Sequence, residues 1–192
     1  QVKNNGEVAQ VYVKDSHKGI IDKETWNAVQ EEFDRRKKFM QRHGTDRYSY
    51  GSECYPFCEK IFCGECGSLF TRHSWKSRGI VQWQCKNHRK DGKVACTNAY
   101  VDNANLENGF VKAFNRLVSE REKHMERWNA MKADGTPLEK IRAVQMIEAT
   151  ENGQLQKYVP EAAQLVLEEI TIFGAKKYEF AFLEGSRVKV SV

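Results

Sequence analysis

The chain has 192 residues, of which 40% are hydrophobic and 30% charged, a composition typical of one or two small globular domains and not of a disordered or fibrous protein. No apolar stretch approaches the roughly 20 residues of a membrane-spanning helix, which excludes a transmembrane protein, and the net charge of +5 is too small to identify an anionic partner. The sequence begins at Gln1 without an initiator methionine or a signal peptide, so we expect it to be a piece of a longer protein.

An N-terminal helix is predicted after a short segment of alternating apolar residues at 8–13. Asp22 is a suitable N-cap, and apolar residues then recur at helical spacing down one face: Trp26, Val29, Phe33 and Met40. Basic residues gather toward the helix end: Arg35, Arg36, Lys37 and Lys38. Two interpretations stay open, a solvated helix end whose cations complement the helix dipole and a set of phosphate contacts. The segment 44–51 is a predicted linker.

All six cysteines lie in one window, at positions 54, 58, 63, 66, 85 and 96. Disulfide frameworks of this density are typical of short secreted proteins, whereas this chain has long helical patterns and no export signal. Cys63 and Cys66, followed by Gly67, form a C-x2-C-G knuckle, in which two intervening residues let the chain wrap around one metal ion. Four thiolates drawn from two pairs favour a closed structural zinc site.

The second pair, Cys85 and Cys96, is less regular because ten residues separate the two thiols. Asp91-Gly92 accounts for this spacing, since the dipeptide is a strong signal for a two-residue hairpin that returns Cys96 to Cys85. Two short strands, at 68–74 and 80–84, are predicted before it. The pattern therefore predicts a zinc ribbon, and the alternative is a set of buried cysteines without metal.

Other side chains in this window receive less specific predictions. Cys54 and Cys58 are surplus to a set of four ligands, and each is expected to be a small buried residue. His73 and His88 could in principle replace a thiolate ligand. For these histidines we favour a surface position or a phosphate contact.

The net positive charge of the chain arises from the same segment. Between Cys63 and Cys96 there are seven basic and two acidic residues, whereas the rest of the chain holds 24 of each. The basic residues are Arg72, Lys76, Arg78, Lys86, Arg89, Lys90 and Lys93. Four thiolates and one Zn²⁺ together carry about −2, so a zinc-loaded segment keeps about +3, which favours binding to DNA phosphates. Candidates for base contacts carry a guanidinium fork: Arg72, Arg78 and Arg89. Trp83 is expected in the ribbon core.

The second half of the chain predicts a helical pair followed by strands. A long amphipathic helix runs from about 102 to 133, and Thr136-Pro137-Leu138-Glu139 is a capping box that starts a second helix through about 149. The short connection makes these helices antiparallel neighbours, and their apolar stripe is either a local core or a protein-contact arm. The predicted elements that follow are a helix at 160–167, strands at 171–173, 178–183 and 187–192, and a turn at 184–186.

The ordered motifs resemble those of the large serine recombinases. The run of residues 17–22, with Trp26, Val29-Gln30, Glu32 and Arg35-Arg36, is similar to the end of that family's recombinase domain. A second set of residues is similar to the zinc beta-ribbon of the same family: Tyr55-Pro56-Phe57, Lys60-Ile61, Cys63 to Ser68, Trp83-Gln84-Cys85, Cys96, Leu106-Glu107 and Phe110. Its closing strands are similar to Val166 to Ile172, Phe180, Phe182 and Gly185.

The resemblance implies a phage integrase or transposon recombinase, a mobile-element enzyme that cuts and rejoins DNA through a serine in an N-terminal domain. No Arg-Ser dipeptide and no Tyr-x-Arg-x-Ser motif occurs here, so we expect this chain not to cleave DNA alone. The zinc ligands carried over from the family are Cys63, Cys66, Cys85 and Cys96. The implied partners are a double-stranded attachment-site half, bound by the ribbon, and other recombinase subunits, bound through a coiled-coil arm. The implied location is the cytoplasm, with no membrane contact, for a bacterial or phage-encoded protein.

Taken together, these observations predict an α+β fold with a small zinc ribbon, an inserted antiparallel helical arm and an N-terminal linking helix. The expected boundaries are 1–50 for the end of the recombinase domain, 51–104 for the ribbon, 105–157 for the arm and 158–192 for the short helix and closing strands. Cys58 matches no ligand of the family, and the second helix is short for a full arm. One rival hypothesis is a zinc-stabilised protein-interaction module without a DNA role. Another is a metalloenzyme, which is disfavoured because four protein ligands leave zinc no open position.

Overall fold

The computed structural model describes residues 6, 9, 18–45, 48, 55–75, 77, 79–90 and 93–192. Within them the chain has the predicted α+β character, with five helices and nine short strands. The helices are α1 (Lys23–His43), α2 (Asn103–Ser119), α3 (Arg121–Asp134), α4 (Pro137–Glu151) and α5 (Pro160–Val166). The strands are β1 (Ile61–Cys63), β2 (Phe70–Trp75), β3 (Ile80–Cys85), β4 (Arg89–Lys90), β5 (Lys93–Val94), β6 (Val101–Asp102), β7 (Leu167–Ile172), β8 (Lys177–Phe182) and β9 (Arg187–Ser191). The predictions that lie outside the described residues concern 8–13, most of 44–51, Cys54, Lys76, Arg78 and Asp91-Gly92.

Helix ends follow the capping signals of the sequence. The side chain of Asp22 accepts the backbone N–H of Thr25 at 2.7 Å, and Gly44 ends α1 in the left-handed conformation at φ 58°. At the start of α4, Thr136 accepts the N–H of Glu139 while the Glu139 carboxylate accepts the N–H of Thr136. Both predicted N-termini are therefore confirmed, because each side chain satisfies a backbone donor that the helix itself cannot pair.

The predicted apolar face of α1 is less buried than expected. Trp26, Val29 and Phe33 are 41–57% exposed, although Val29 and Phe33 line a cavity between α1 and α4. Glu32 lies on the same side, and its carboxylate pairs with Arg142 of α4 at 3.2 Å. Charged side chains therefore contribute to this helix contact as well as apolar ones.

The ribbon is built from a hairpin of β2 and β3, extended by β6 into a three-stranded antiparallel sheet. Phe70 pairs with Cys85 at one end of the hairpin and Trp75 with Ile80 at the other. The strands begin and end within two residues of the predicted positions. β4 and β5 pair antiparallel, Arg89 with Val94 and Lys90 with Lys93, so the two strands that the predicted hairpin would join are paired.

A second sheet joins the start of the ribbon to the C-terminal strands, in the order β1-β7-β8-β9. β1 runs parallel to β7, and its last residue, Cys63, pairs with Ile172. The N–H of Gly64 continues this contact by donating to the carbonyl oxygen of Ile172 at 2.8 Å. The predicted helix at 160–167 ends one residue earlier, and the first closing strand begins at Leu167 rather than at 171. The first metal-ligand candidate is thus attached to the C-terminal sheet.

The single helix predicted from 102 to 133 is two helices, because Glu120 leaves the helical conformation at φ −100° and ψ 14° between α2 and α3. α2 packs Phe110 against Phe180 and Phe182 of the C-terminal sheet. α3 and α4 form the predicted antiparallel pair, and Trp128 of α3 belongs to the same buried core. The apolar stripe therefore belongs to a local core.

None of the helices in the described part of the chain has the length and apolar composition of a membrane-spanning segment.

An ion pair between a half-exposed arginine and a buried glutamate ties α3 to the turn between β8 and β9. The carboxylate of Glu184 is 0% exposed and accepts a hydrogen bond from the guanidinium of Arg127. The same guanidinium donates to the hydroxyl oxygen of Ser186 at 2.7 Å. The helical pair is consequently fixed to the closing strands by charge as well as by apolar packing.

Candidate metal centre and the surface of the ribbon

Four cysteine thiols meet at one point of the ribbon. The sulfur atoms of Cys63, Cys66, Cys85 and Cys96 all lie within 4.8 Å of one another. The Cys63 and Cys96 sulfurs are 3.6 Å apart, and those of Cys66 and Cys85 are 3.4 Å apart. A tetrahedral zinc ion with Zn–S bonds of about 2.3 Å places its sulfur ligands about 3.8 Å apart, so this cluster is the right size for one metal ion. Zinc fits this donor set best.

No other group of three or more His, Cys, Asp or Glu side chains in the described part of the chain is arranged to hold one ion. His73 and His88 are not members of the cluster, so the structure brings together the four thiols that the sequence selects. Cys58 is not a member of the thiol cluster either. It is half-buried, and burial raises the pKa of its thiol. Metal ligation by the four thiols remains a prediction.

The knuckle of Cys63 and Cys66 is shaped by backbone hydrogen bonds. The N–H of Gly67 donates to the carbonyl oxygen of Cys63 at 2.8 Å, and the N–H of Cys63 donates to the carbonyl oxygen of Ser68 at 2.9 Å. Gly67 has φ 73°, the left-handed region in which glycine has no steric penalty. A tight turn at this glycine brings the Cys66 thiol back toward Cys63, as the C-x2-C-G pattern predicts.

Backbone and side-chain donors point at the sulfur atoms. Burial alone would raise the pKa of Cys66, but hydrogen bonds from the Ser68 N–H and from Cys85 lower it to about 7. Burial raises the pKa of Cys85 and raises that of Cys96 to about 11. Metal ligands must be thiolates, so the zinc charge has to overcome this desolvation for Cys85 and Cys96, while Cys66 ionises more easily than these two.

Asn98 is a part of the site that sequence reasoning missed. Its buried amide nitrogen donates to the Cys63 sulfur at 3.1 Å and to the carbonyl oxygen of Ile172 at 2.8 Å. One side chain therefore connects a thiol ligand to strand β7 of the C-terminal sheet. The only sequence signal was its position two residues after Cys96, which is too common a placement for asparagine to indicate this role.

The two faces of the β2–β3 hairpin have different chemistry. Phe70, Trp83 and Cys85 are buried on the inner face, which confirms the core position predicted for Trp83. Its indole N–H donates to the side-chain oxygen of Asn103 at 2.9 Å, so its polar atom is satisfied. The outer face consists of three cross-strand pairs: Thr71 with Gln84, His73 with Gln82, and Trp75 with Ile80.

Basic side chains of the ribbon lie around this hairpin. Lys86, Arg89 and Lys93 are exposed. Arg72 is half-buried and holds its guanidinium 4.0 Å above the ring of Tyr55. Two further candidates, Lys76 and Arg78, lie outside the described residues. For Lys90 the structure describes the backbone of β4 but not the side chain.

The cations of α1 have two kinds of surroundings. Arg35 pairs with Glu32 at 2.8 Å and with Glu168 of β7 at 3.1 Å, and Arg36 pairs with Glu32 at 2.8 Å. Burial works to raise the pKa of Glu32, but the hydrogen bonds from these arginines lower it to about 2. Lys37 and Lys38 are exposed instead. A phosphate contact by Arg35 would have to compete with these intramolecular carboxylates, whereas the two lysines point to solvent.

Comparison with known proteins identifies the ribbon segment. Residues 56–115 match the family described as the recombinase zinc beta ribbon domain. Neither the curated proteins nor the solved structures contain a significant match to the chain. The matched segment holds all four clustered thiols, the β2–β3 hairpin and most of α2. The resemblance to recombinases is thereby confirmed for this segment, which is similar to the zinc beta ribbon of that family.

Proposed function

We propose that this chain is the zinc-stabilised DNA-binding part of a large serine site-specific recombinase. In this proposal the ribbon recognises one half of an attachment site and the helices contact partner subunits during integration or excision. The family match and the thiol cluster support the recombinase and zinc components. Strand cleavage belongs to a catalytic serine domain that these residues do not include.

The observation that carries DNA binding is the uncompensated positive charge of the ribbon. Lys86, Arg89 and Lys93 are exposed and pair with no carboxylate among the residues that the structure describes. On α1, by contrast, Arg35 and Arg36 already pair with Glu32. Cations without an internal partner can bind phosphates and release condensed counterions without first losing an ion pair. The ribbon cations, with Lys37 and Lys38, are therefore the phosphate contacts that we favour.

Zinc has a structural role in this proposal. Four protein thiolates fill the tetrahedral coordination of the ion, so no position is open for a substrate or water. The ion would instead hold Cys63 and Cys66 against Cys85 and Cys96, which lie on the two sides of the β4–β5 hairpin. Loss of zinc should free that hairpin and its cations, and DNA affinity should fall with it.

The test is a titration of the zinc-loaded chain with duplex DNA at several salt concentrations. We expect log K to fall linearly with log salt, with a slope of about −0.9 for each phosphate contact. The triple variant Lys86→Ala, Arg89→Ala, Lys93→Ala should bind more weakly and reduce the slope by about 2 to 3.

A matched control removes three exposed lysines outside the ribbon: Lys123, Lys132 and Lys157. The variant with alanine at these three positions has the same net charge as the ribbon variant. Comparison of the two DNA affinities therefore distinguishes a local contact by the ribbon from an effect of net charge. Equal loss of affinity in both variants, or binding that does not depend on salt, would overturn the proposed DNA contact. A strong chelator should abolish binding by the wild-type chain.

The alternative function, a zinc-stabilised protein-interaction module without a DNA role, is favoured by one observation. Trp26, Val29 and Phe33 form an exposed apolar stripe on α1, beside a cavity of about 380 Å³ between α1 and α4. Exposed apolar stripes of this kind are typical of protein contacts. Absence of DNA binding by the zinc-loaded chain would favour this alternative, whereas salt-dependent DNA binding would leave the stripe as a contact to partner subunits.

A further inference from the structure

The outer face of the β2–β3 hairpin carries no cation among its described side chains. Its members are Thr71, His73, Trp75, Ile80, Gln82 and Gln84. The face therefore offers hydrogen-bonding groups and apolar surface, while the exposed cations Lys86, Arg89 and Lys93 follow β3 in the chain. A phosphate-binding surface would need charge, whereas a surface that contacts base edges needs positioned donors and acceptors.

Both glutamine amides are anchored in a way that leaves complementary groups available. Gln82 donates one N–H to the Asp102 carboxylate at 2.9 Å, and Gln84 donates one N–H to the hydroxyl oxygen of Tyr100. A primary amide has two N–H donors and one carbonyl acceptor. Each anchored amide thus keeps one N–H and its C=O, the pair that fits the N7 acceptor and N6 donor of adenine in the major groove.

The end of the same face is apolar. Trp75 and Ile80 lie opposite each other and are 43% and 40% exposed. Apolar side chains recognise the methyl group of thymine in the major groove. The face thus combines groups suited to adenine with groups suited to thymine.

We infer that the outer face of this hairpin recognises A·T base pairs in the major groove, with Gln82 and Gln84 as the specificity-determining residues; this rests on the proposed DNA-binding function. Alternate residues of a strand are about 6.8 Å apart, which corresponds to two base-pair steps of about 3.4 Å. Where β3 follows the groove, the two amides therefore contact positions about two base pairs apart.

This assignment differs from the arginine candidates that the sequence suggests. Arg72 lies opposite Trp83, on the inner face of the hairpin, and its guanidinium stacks on Tyr55. In this assignment the amides of Gln82 and Gln84 contact bases, whereas Lys86 and its basic neighbours contact phosphates. Loss of the amides should change which sequences are bound without changing the salt dependence of binding.

The test selects binding sites from a pool of randomised 30-base-pair duplexes, with the zinc-loaded wild-type chain and with the double variant Gln82→Met, Gln84→Met. Methionine keeps the length of glutamine and removes its hydrogen bonds. We expect the wild type to enrich a motif with A·T pairs about two positions apart and to bind it at least about tenfold more tightly than pool DNA. The double variant should lose this preference and retain the wild-type affinity for pool DNA and the wild-type salt slope.

Controls separate the possible failures. Gln156→Met, an exposed glutamine outside the ribbon, should select the wild-type motif. Zinc content and melting temperature of the double variant should match those of the wild type, and the single variants Gln82→Met and Gln84→Met replace it if they do not. Selection of an unchanged motif by folded variants, or a wild-type motif without A·T pairs, would overturn this inference alone. Absence of salt-dependent binding by the wild type would instead overturn the proposed function.

Discussion

Replacing Asn98 by leucine should weaken zinc binding without removing any zinc ligand. The Asn98 amide nitrogen lies 3.1 Å from the Cys63 sulfur and 2.8 Å from the carbonyl oxygen of Ile172, and the side chain is buried. Leucine has a similar volume but no donor, so the variant changes hydrogen bonding more than packing. The two lost hydrogen bonds have different consequences for metal binding and for folding.

The magnitude follows from what each bond does when zinc binds. A hydrogen bond to a charged group contributes about 1.5–3 kcal/mol, and the Cys63 sulfur must be a thiolate to ligate the metal. The bond to Ile172 involves no metal ligand, so we expect it to cancel in the zinc affinity and to contribute about 1 kcal/mol to folding. We therefore expect zinc affinity to fall about 10- to 100-fold, the usual effect of removing a group that supports a metal ligand.

The assay is competition for zinc between the chain and a chromophoric chelator under reducing conditions. The control is Asn115→Leu, because the Asn115 side chain also donates to a backbone carbonyl oxygen, that of Leu155 at 2.9 Å, and has no sulfur partner. We expect the control to change zinc affinity less than about threefold. Wild-type zinc affinity in a folded Asn98→Leu variant, or equal losses in both variants, would refute the role assigned to Asn98.

Three further predictions test other contacts. Cys85→Ser should lose bound zinc, whereas Cys58→Ser should keep the wild-type metal content; equal loss by elemental analysis would show that the ligand set is wrong. Glu32→Gln should lower the free energy of unfolding by about 2 kcal/mol at pH 7, because its lowered pKa of about 2 means that the folded state favours the carboxylate. That stability is present above pH 4.5 and is lost as the pH falls toward 2, so urea titrations of wild type and variant should converge there, and a constant difference would contradict the assignment. Arg127→Met should cost about 2–4 kcal/mol because it leaves the buried Glu184 carboxylate unpaired, and Glu184→Gln in the same chain should recover part of the loss; additive losses in the double variant would exclude the coupling.

The ribbon was predictable from sequence because its signals are local. The C-x2-C-G pattern at Cys63 and the Asp91-Gly92 signal each predict a short stretch of backbone, and together they predict that four thiols lie in one region. Cross-strand pairing then follows from hairpin geometry, since a tight turn sets the register of both strands. The capping box at Thr136 is local in the same sense.

The contacts that the sequence did not predict depend on residues far apart in the chain. The parallel pairing of 61–63 with 170–172 has no local signature, because parallel strands need a long connection whose course short patterns do not specify. The ion pair between Arg127 and Glu184 is likewise a long-range contact. On α1, the hydrophobic pattern predicted a buried face at Trp26, Val29 and Phe33, which are 41–57% exposed. Part of the contact with α4 is an ion pair between Glu32 and Arg142, which such a pattern treats as exposed.

Asn98 connects the thiol cluster, which local sequence signals predict, to the C-terminal sheet, which they do not. It links the Cys63 sulfur to Ile172, in the same strand pair that joins β1 to β7, so the metal site and the C-terminal sheet share a buried contact. Cys85, at the end of β3, attaches the hairpin to the same cluster. The anchored amides of Gln82 and Gln84 therefore project from a strand whose base is fixed by the thiol cluster, and the cations beyond Cys85 are fixed by the same thiol. If zinc binds there, one ion sets the relative positions of the surface proposed to contact bases and the charges proposed to contact phosphates.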